Sequence, residues 1–513
     1  MGHGTLVANH RVCFRRQMGD EVSRSQFSRA QRQRYREKVQ LCLDVFEQML
    51  GSATFEADRP LIGLEVELNL VDGDHRPFFG NLAVLEEIAD PAFQTELGSF
   101  NIEFNAPPRT LGGAGARELE EGLRSSLNAA ERKANRLGGH IVMIGILPTL
   151  TAEHVTGAGW MSPSPRYVAL NDSILAARGE DIHLDIHGVE RLTTYVASLA
   201  SESACTSVQL HLQVSPSDFA RTWNAAQLLA GPQLALGANS PFFFGRELWH
   251  ETRVELFVQS TDTRPQELKN QGVRPRVWFG ERWVTSIFDL FEENVRYFPA
   301  LLLEISDEDP VAELEAGRVP RLQELRLHNG TIYRWNRPVY QVVDGQPHVR
   351  VENRVLPAGP TVLDIMANAA FYYGAVRVLS EDERPLWTKL TFSTAEENFT
   401  ECARRGMDAV CYWPGLGDVT VDELILHRLL PLAHEGLRRW GVDVAVRDRL
   451  LGVVEHRAKT GRNGASWQVE TVHTLERRGL SREQALRKML ELYCSGMHAN
   501  EPVHTWPVPG ERD

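Results

Sequence analysis

The chain holds 513 residues with a net charge of −13, and its 42% hydrophobic and 24% charged residues exclude a disordered protein. The acidic balance argues against a protein that neutralises nucleic-acid phosphates directly, so a polyanionic ligand is better met through metal ions. No uninterrupted apolar run of about 18 residues is present, and no apolar segment follows the N-terminal arginines, so a cytoplasmic protein is expected, with neither a nucleic-acid nor a membrane partner.

Residues 1–54 are rich in Arg and Gln up to Lys38 and then turn apolar-periodic in VQLCLDVFEQML, which predicts an N-terminal helical extension. From Leu61 to about Val355, alternating strands are separated by Gly, Pro and Asn/Asp turns, with helical stretches at 115–136 and 283–303. That mixture is α+β. The stretch 361–500 reads as helical again, and LSREQALRKMLELY opens with Ser481 and Gln484 at capping-box spacing. The expected organisation is thus an extension at 1–54, a catalytic core at 55–375 and a mainly helical region at 376–513 packed on that core. The six cysteines, Cys13, Cys42, Cys205, Cys402, Cys411 and Cys494, form no C-x-x-C pair and suit reduced thiols.

Four strand segments carry a complete apolar face opposite a charged one. In GLEVELNL, Leu64, Val66, Leu68 and Leu70 alternate with Glu65, Glu67 and Asn69. In FNIEFN, Asn101, Glu103 and Asn105 share a face, with Glu96 seven residues before Glu103. VQLHLQV places Gln209, His211 and Gln213 together, and VRVENRV does the same for Arg350, Glu352 and Arg354. An ordinary sheet with one wet face is the plain alternative, but such a face normally mixes in Lys, Thr and Ser, and lysine is absent from all four.

If the four share one sheet, Glu65, Glu67, Glu96, Glu103 and Glu352 crowd five carboxylates together, which is costly without counter-ions. Five carboxylates and a histidine make an oxygen-dominated ligand set, suited to two or three Mg²⁺ or Mn²⁺ ions and not to zinc. Such ions would leave positive charge to hold a nucleoside triphosphate. Arg354, two residues from Glu352, is placed to stabilise charge on a transferring phosphoryl group. No G-x-x-x-x-G-K-[ST] loop is present, so an ATP site here is metal-built.

The segments GLEVELNL, ELGSFNIEFN, SVQLHLQV, GANSPFFFG, LRLHNGTIYRWNRP and VRVENRVLPAGPT, in order between about 61 and 375, resemble the glutamate–cysteine ligase type 2 family of carboxylate–amine ligases. The resemblance implies a glutamine-synthetase-like fold, with a curved, mainly antiparallel sheet forming a funnel-shaped site and helices outside. It implies ATP-dependent ligation, in which the γ-carboxylate of glutamate passes through an acyl phosphate to the α-amine of cysteine, or of another amine. It makes Glu65, Glu67, Glu96, Glu103, His211 and Glu352 the metal ligands, and puts Arg354 and Glu352 at the chemistry. Thr331, Trp335 and Asn336 would lie beside the nucleotide. Asn239, Ser240 and Arg253 would form the amino-acid pocket, with Arg166 on a nearby lid.

Plainer roles compete for several of these residues. Arg253 could pair with Glu251 or Glu255 on a strand face, Trp335 could be core packing, and His211 could be an internally bonded histidine. Three alternatives to the leading function stay open: a same-fold ligase with another acceptor, a small-molecule phosphotransferase, and a non-catalytic nucleotide- or metal-binding protein. The terminal extensions could cap the site, form a homo-oligomer interface or buttress the sheet.

Overall fold

The computed structural model describes residues 28–52, 55–57, 60–157 and 159–510. The Arg- and Gln-rich stretch at 1–27 lies outside the described residues. At its centre is a seven-stranded sheet of β1 (Ile62–Asp72), β2 (Phe93–Thr95), β3 (Asn101–Arg109), β4 (Gly139–Val142), β5 (Val208–Val214), β6 (Asn336–Val343) and β7 (Gln346–Asn353). The strands run in the order β6-β7-β5-β1-β3-β2, with β4 also on β1. All these pairings are antiparallel, and the sheet curls into a half-barrel.

Period-2 alternation explains which side is packed. Leu64, Val66, Leu68 and Leu70 of β1, Ile102 and Phe104 of β3, Leu210 and Leu212 of β5, and Val349 and Val351 of β7 are all buried. The helices include α1 (Arg29–Ser52), α2 (Pro216–Gly237), α3 (Val362–Glu381) and α4 (Leu430–Arg439). Of these, α2 packs on β7 and on α3, and α3 packs on α4. Tyr373 of α3 ties the two layers together, its hydroxyl donating to the carbonyls of Gly63 and His211 at 3.1 Å each. The approach of α3 to α4 needs glycine on both sides, since a Cβ at Gly436 would stand 1.8 Å from the Gly374 carbonyl oxygen. By length and composition α3 is apolar enough to cross a membrane, but it is the buried centre of this helical layer.

Several boundaries differ from the sequence reading. The first helix starts at Arg29, ten residues ahead of the apolar period at Val39, because its early turns are polar and exposed. Several helices, among them α2, Pro165–Arg178 and Thr252–Ser260, stand in a region read as strands; α2 is buried on nearly every side and so shows no polar stripe to give a helical period. A core boundary at 375 falls inside α3. The side chain of Arg457, on the helix Val444–Thr460, binds Asp364 and Asn368 of α3 at 2.6 Å each. The capping box at Ser481 and Gln484 is present as expected, opening the helix Arg482–Ala499.

Burial in the helix Gln323–Asn329 makes one histidine a source of acid sensitivity. The Nε2–H of His328 donates to the Asn294 carbonyl at 2.9 Å, while its Nδ1 has no partner among the described residues. Burial pulls its pKa down to about 4. An unfolded histidine takes up its proton near pH 6.5, so stability is complete above that value and is lost as the pH falls toward 4. Between pH 7 and 5 this one group should cost about 2 kcal/mol of unfolding free energy. Urea unfolding at the two values should therefore show a smaller acid loss for His328→Gln than for the natural chain.

Candidate active site

Strand pairing assembles the charged faces. Glu67 stands opposite Glu103, and Glu65 opposite both Asn105 and Gln209. Across the next pair His211 meets Glu352, which in turn stands opposite Arg337 on β6. Directly paired residues point to the same side, so one concave face carries Glu65, Glu67, Glu103, His211, Glu352 and Arg337. Gln94 of β2 stands opposite Glu103, and Glu96 lies two residues further on.

The carboxylates divide into two groups. In the first, oxygens of Glu67, Glu96 and Glu103 lie within 4.8 Å of one another. Glu67 accepts from the Ser207 N–H at 2.6 Å and from Gln209 at 2.9 Å. Glu103 accepts from Gln94 at 2.7 Å and from Asn105 at 2.6 Å through one oxygen only. The other oxygen of Glu103 and Oε1 of Glu96 are buried without a partner among the described residues. Burial first, then the neighbouring carboxylates, pushes Glu96 up to about 7 and Glu103 well above the usual carboxylate range. Burial also raises Glu67, against the opposing charge of Arg354. Three converging hard oxygen donors, two with spare lone pairs and none neutralised by a contacting guanidinium, fit Mg²⁺ or Mn²⁺.

The second group is already paired. Glu352 binds Arg337 at 2.9 Å and Arg354 at 2.6 Å, and Arg354 also donates to Gln209 at 2.6 Å. Burial works to raise the Glu352 carboxyl, but Arg337, Arg354 and His211 overcome it and hold it far below its ordinary value. The Nε2 of His211 lies 3.0 Å from Glu65, and its Nδ1 accepts from Arg350 at 3.0 Å, which places the ring proton on Nε2. A second cation held by Glu65, His211 and Glu352 would take the place of the contact between His211 Nε2 and Glu65.

Two cavities open onto this face. The larger is bounded by Glu67, Glu96, Arg354 and Trp335; the smaller by Glu65, Glu352 and Arg350. Arg166, Arg337 and Gly330 line both, so the two meet beside the Glu352–Arg337 pair. Acidic groups form the floor, with guanidinium groups around them.

The remaining residues singled out from sequence separate cleanly. Arg166, Arg253 and Trp335 line the larger cavity. Arg253 is nevertheless largely committed: its Nε donates to Glu251 at 2.9 Å and its Nη2 to the Val355 carbonyl, and the pair sits at the start of a helix and not on a strand face. Thr331 is buried and its hydroxyl donates to the His328 carbonyl at 3.0 Å. The side-chain amide of Asn336 donates to Gln227 at 2.7 Å and accepts from Asn353 at 2.8 Å. Asn239 donates to the Ala358 carbonyl at 2.7 Å and to the Tyr493 hydroxyl at 2.8 Å, and Ser240 accepts from the Arg253 N–H at 3.2 Å. These four lie in the packing behind the cavities, where each polar group is satisfied by protein.

Sequence reasoning passed over Arg337, Tyr333 and Glu202. Arg337 was within reach, because it lies on the same face of β6 as Val339 and Gln341 and one strand from Glu352. Glu202 sits in a short 3₁₀ turn, Leu199–Ala204, where no periodicity marks a face.

The fold and this carboxylate-floored, arginine-rimmed site define an ATP-dependent ligase that forms C–N bonds. More narrowly, the chain belongs to glutamate–cysteine ligase family 2, whose model matches residues 61–491. The match runs beyond the six motifs through most of the C-terminal helices. Among solved structures, the chain is similar to the glutamate–cysteine ligase of Francisella tularensis in complex with AMP, at 11% identity and a TM-score of 0.51, over 89% of this chain and 91% of that one. It also matches a bifunctional glutathione synthetase from Pasteurella multocida at 12% identity and a TM-score of 0.48, over 91% of this chain and 55% of that one. Comparison with curated proteins found no match.

Proposed function

We propose that the protein joins the γ-carboxylate of glutamate to the α-amine of cysteine, giving γ-glutamylcysteine, ADP and phosphate. The observation that carries this reading is the split of the concave face into a cation-ready group, Glu67, Glu96 and Glu103, and an arginine-paired group around Glu352. The Francisella tularensis structure was solved with AMP, which supports an adenine nucleotide as the phosphoryl source here. Glu67, Glu96 and Glu103 would hold one Mg²⁺ or Mn²⁺ ion, and Glu65, His211 and Glu352 another. Such ions would neutralise nucleotide phosphates beside an acidic floor and polarise the transferring phosphoryl group.

The chain's own residues do the rest. Arg354, held by Glu352 and Gln209, presents a fixed guanidinium to the phosphoryl oxygens as negative charge redistributes over them. Arg337 shares Glu352 and stands where the two cavities meet, so it is placed to orient the phosphate chain. Transfer of the phosphoryl group to a γ-carboxylate oxygen yields an acyl phosphate. The amine then attacks that carbonyl carbon, the C–O bond to phosphate breaks, and the amine nitrogen loses a proton. On this reading glutamate, cysteine and ATP are its small-molecule substrates.

Purified protein incubated with ATP, Mg²⁺, glutamate and a panel of amino acids, with mass detection of products, tests the reading. Acceptor-dependent ADP and γ-glutamylcysteine are expected. Amide product with a different amine would correct the acceptor alone, and no acceptor-dependent product at all would sink the ligase assignment. Hydroxylamine separates ligation from simple phosphotransfer, because an acyl phosphate traps as a hydroxamate and a phosphoguanidine does not.

A further inference from the structure

Glu202 stands in the wall of the larger cavity with no assigned task. Its turn places the carboxylate in the same chamber as Glu67, Glu96, Arg253 and Tyr333. Its side chain makes no hydrogen bond or ion pair among the described residues. Burial, and after it the charges of Glu96 and Glu67, drives its pKa up to about 8 against the opposing pull of Arg354. Glu202 is half-buried on the cavity wall, and a partly desolvated carboxylate without a partner is costly, a cost that a bound cation would relieve.

Two observations decide what kind of cation. Glu202 is not part of the carboxylate set whose oxygens converge within 4.8 Å, so it lacks the companions that a further metal ion would need. The same cavity is also lined by Arg334, a buried guanidinium that binds Glu293 and Asn294 through Nη2 and leaves Nε and Nη1 without an acceptor among the described residues. A spare carboxylate and a guanidinium with spare donors in one chamber match the two charged ends of an amino acid.

We infer that Glu202 binds the ammonium group of an amino-acid substrate, with Arg334 available to its α-carboxylate. This deepens the proposed ligase reading and rests on it for the identity of the substrates. The ammonium belongs either to the glutamate that is activated or to the amino acid that accepts it. Both offer the same chemistry.

The test uses the isosteric Glu202→Gln in the full-length protein. The KM for one amino acid should rise roughly 10- to 100-fold, the scale of one charge-assisted contact, while the KM for ATP is unchanged. A rise for glutamate assigns the donor's ammonium, and a rise for cysteine the acceptor's. Inhibition of the natural enzyme by the deamino analogues glutarate and 3-mercaptopropionate needs no variant to fold. One of them should bind weaker than its parent amino acid by a similar factor, and in Glu202→Gln that difference should vanish. Unchanged amino-acid KM values in an active, folded variant would overturn the inference, as would a raised Mg²⁺ requirement alone. Calorimetric titration of glutamate and cysteine separates this failure from that of the ligase reading. Loss of amino-acid binding in the variant, from a natural chain that forms no amide, would leave the subsite standing and remove the chemistry.

Discussion

Glu103→Gln should make the metal-free protein more stable and the enzyme nearly inactive. Glu103 is fully buried, its second oxygen has no partner among the described residues, and Glu65, Glu96 and Glu67 all repel it. A neutral amide keeps the oxygen that accepts from Gln94 and Asn105 and removes the cost of either burying a charge there or taking up a proton to avoid it. The melting temperature without divalent cations should therefore rise above that of the natural chain. Added Mg²⁺ stabilises a folded protein that binds it, and this gain should shrink sharply in the variant. Turnover should fall roughly 10²- to 10³-fold, the size of one preorganised electrostatic contact. Calorimetric melts with and without Mg²⁺, together with the ligation assay, check all three. A variant that is less stable without metal and keeps full turnover would show that the three carboxylates are a structural cluster.

Such a trade of stability for chemistry also marks what could be read from the sequence. The metal-facing residues lie on strands, where alternation sorts every side chain to one of two sides, so Glu65 and Glu67, or Glu352 and Arg354, declare a shared face with no knowledge of the fold. What alternation leaves open is register. That Glu67 would stand opposite Glu103, or His211 opposite Glu352, came from pairing between strands far apart in the chain.

Loops and buried helices were harder to read. Asn239, Ser240, Thr331 and Asn336 sit in motif segments, and a polar residue that satisfies backbone and side chains behind a site looks, in sequence, like one that meets a ligand. Glu202 shows the converse: it stands on the cavity wall in a 3₁₀ turn that no pattern announces. The helix α2 was hidden because a segment buried on nearly all sides has no polar face, and Pro232 inside it argues locally against a helix.

Arg354 carries the second large expectation. Its guanidinium is pinned by Glu352 and Gln209, and its backbone N–H donates to the Trp335 carbonyl at 2.8 Å, so its fork is oriented before any substrate arrives. Preorganised charge costs nothing to arrange at the moment of reaction and acts most strongly on the state with most charge in transit. Arg354→Lys retains a cation but loses the planar fork, and an ammonium cannot bind Glu352, Gln209 and a phosphoryl group in the same geometry. The expected result is a kcat lower by roughly 10²-fold or more, with the KM for ATP changed far less, since the missing interaction belongs to the transition state and not to ground-state binding. Folding should survive, because Glu352 keeps Arg337 at 2.9 Å and is not left as an unpaired buried charge. Steady-state kinetics on the variant, with a thermal melt as control, decide the matter. A raised KM for ATP at unchanged kcat would make Arg354 a nucleotide-binding residue, and equal kcat and KM would remove it from the mechanism. Pairing Arg354→Lys with Arg337→Lys extends the test. If both guanidinium groups act on the same phosphoryl group through their common partner Glu352, the two losses should combine non-additively.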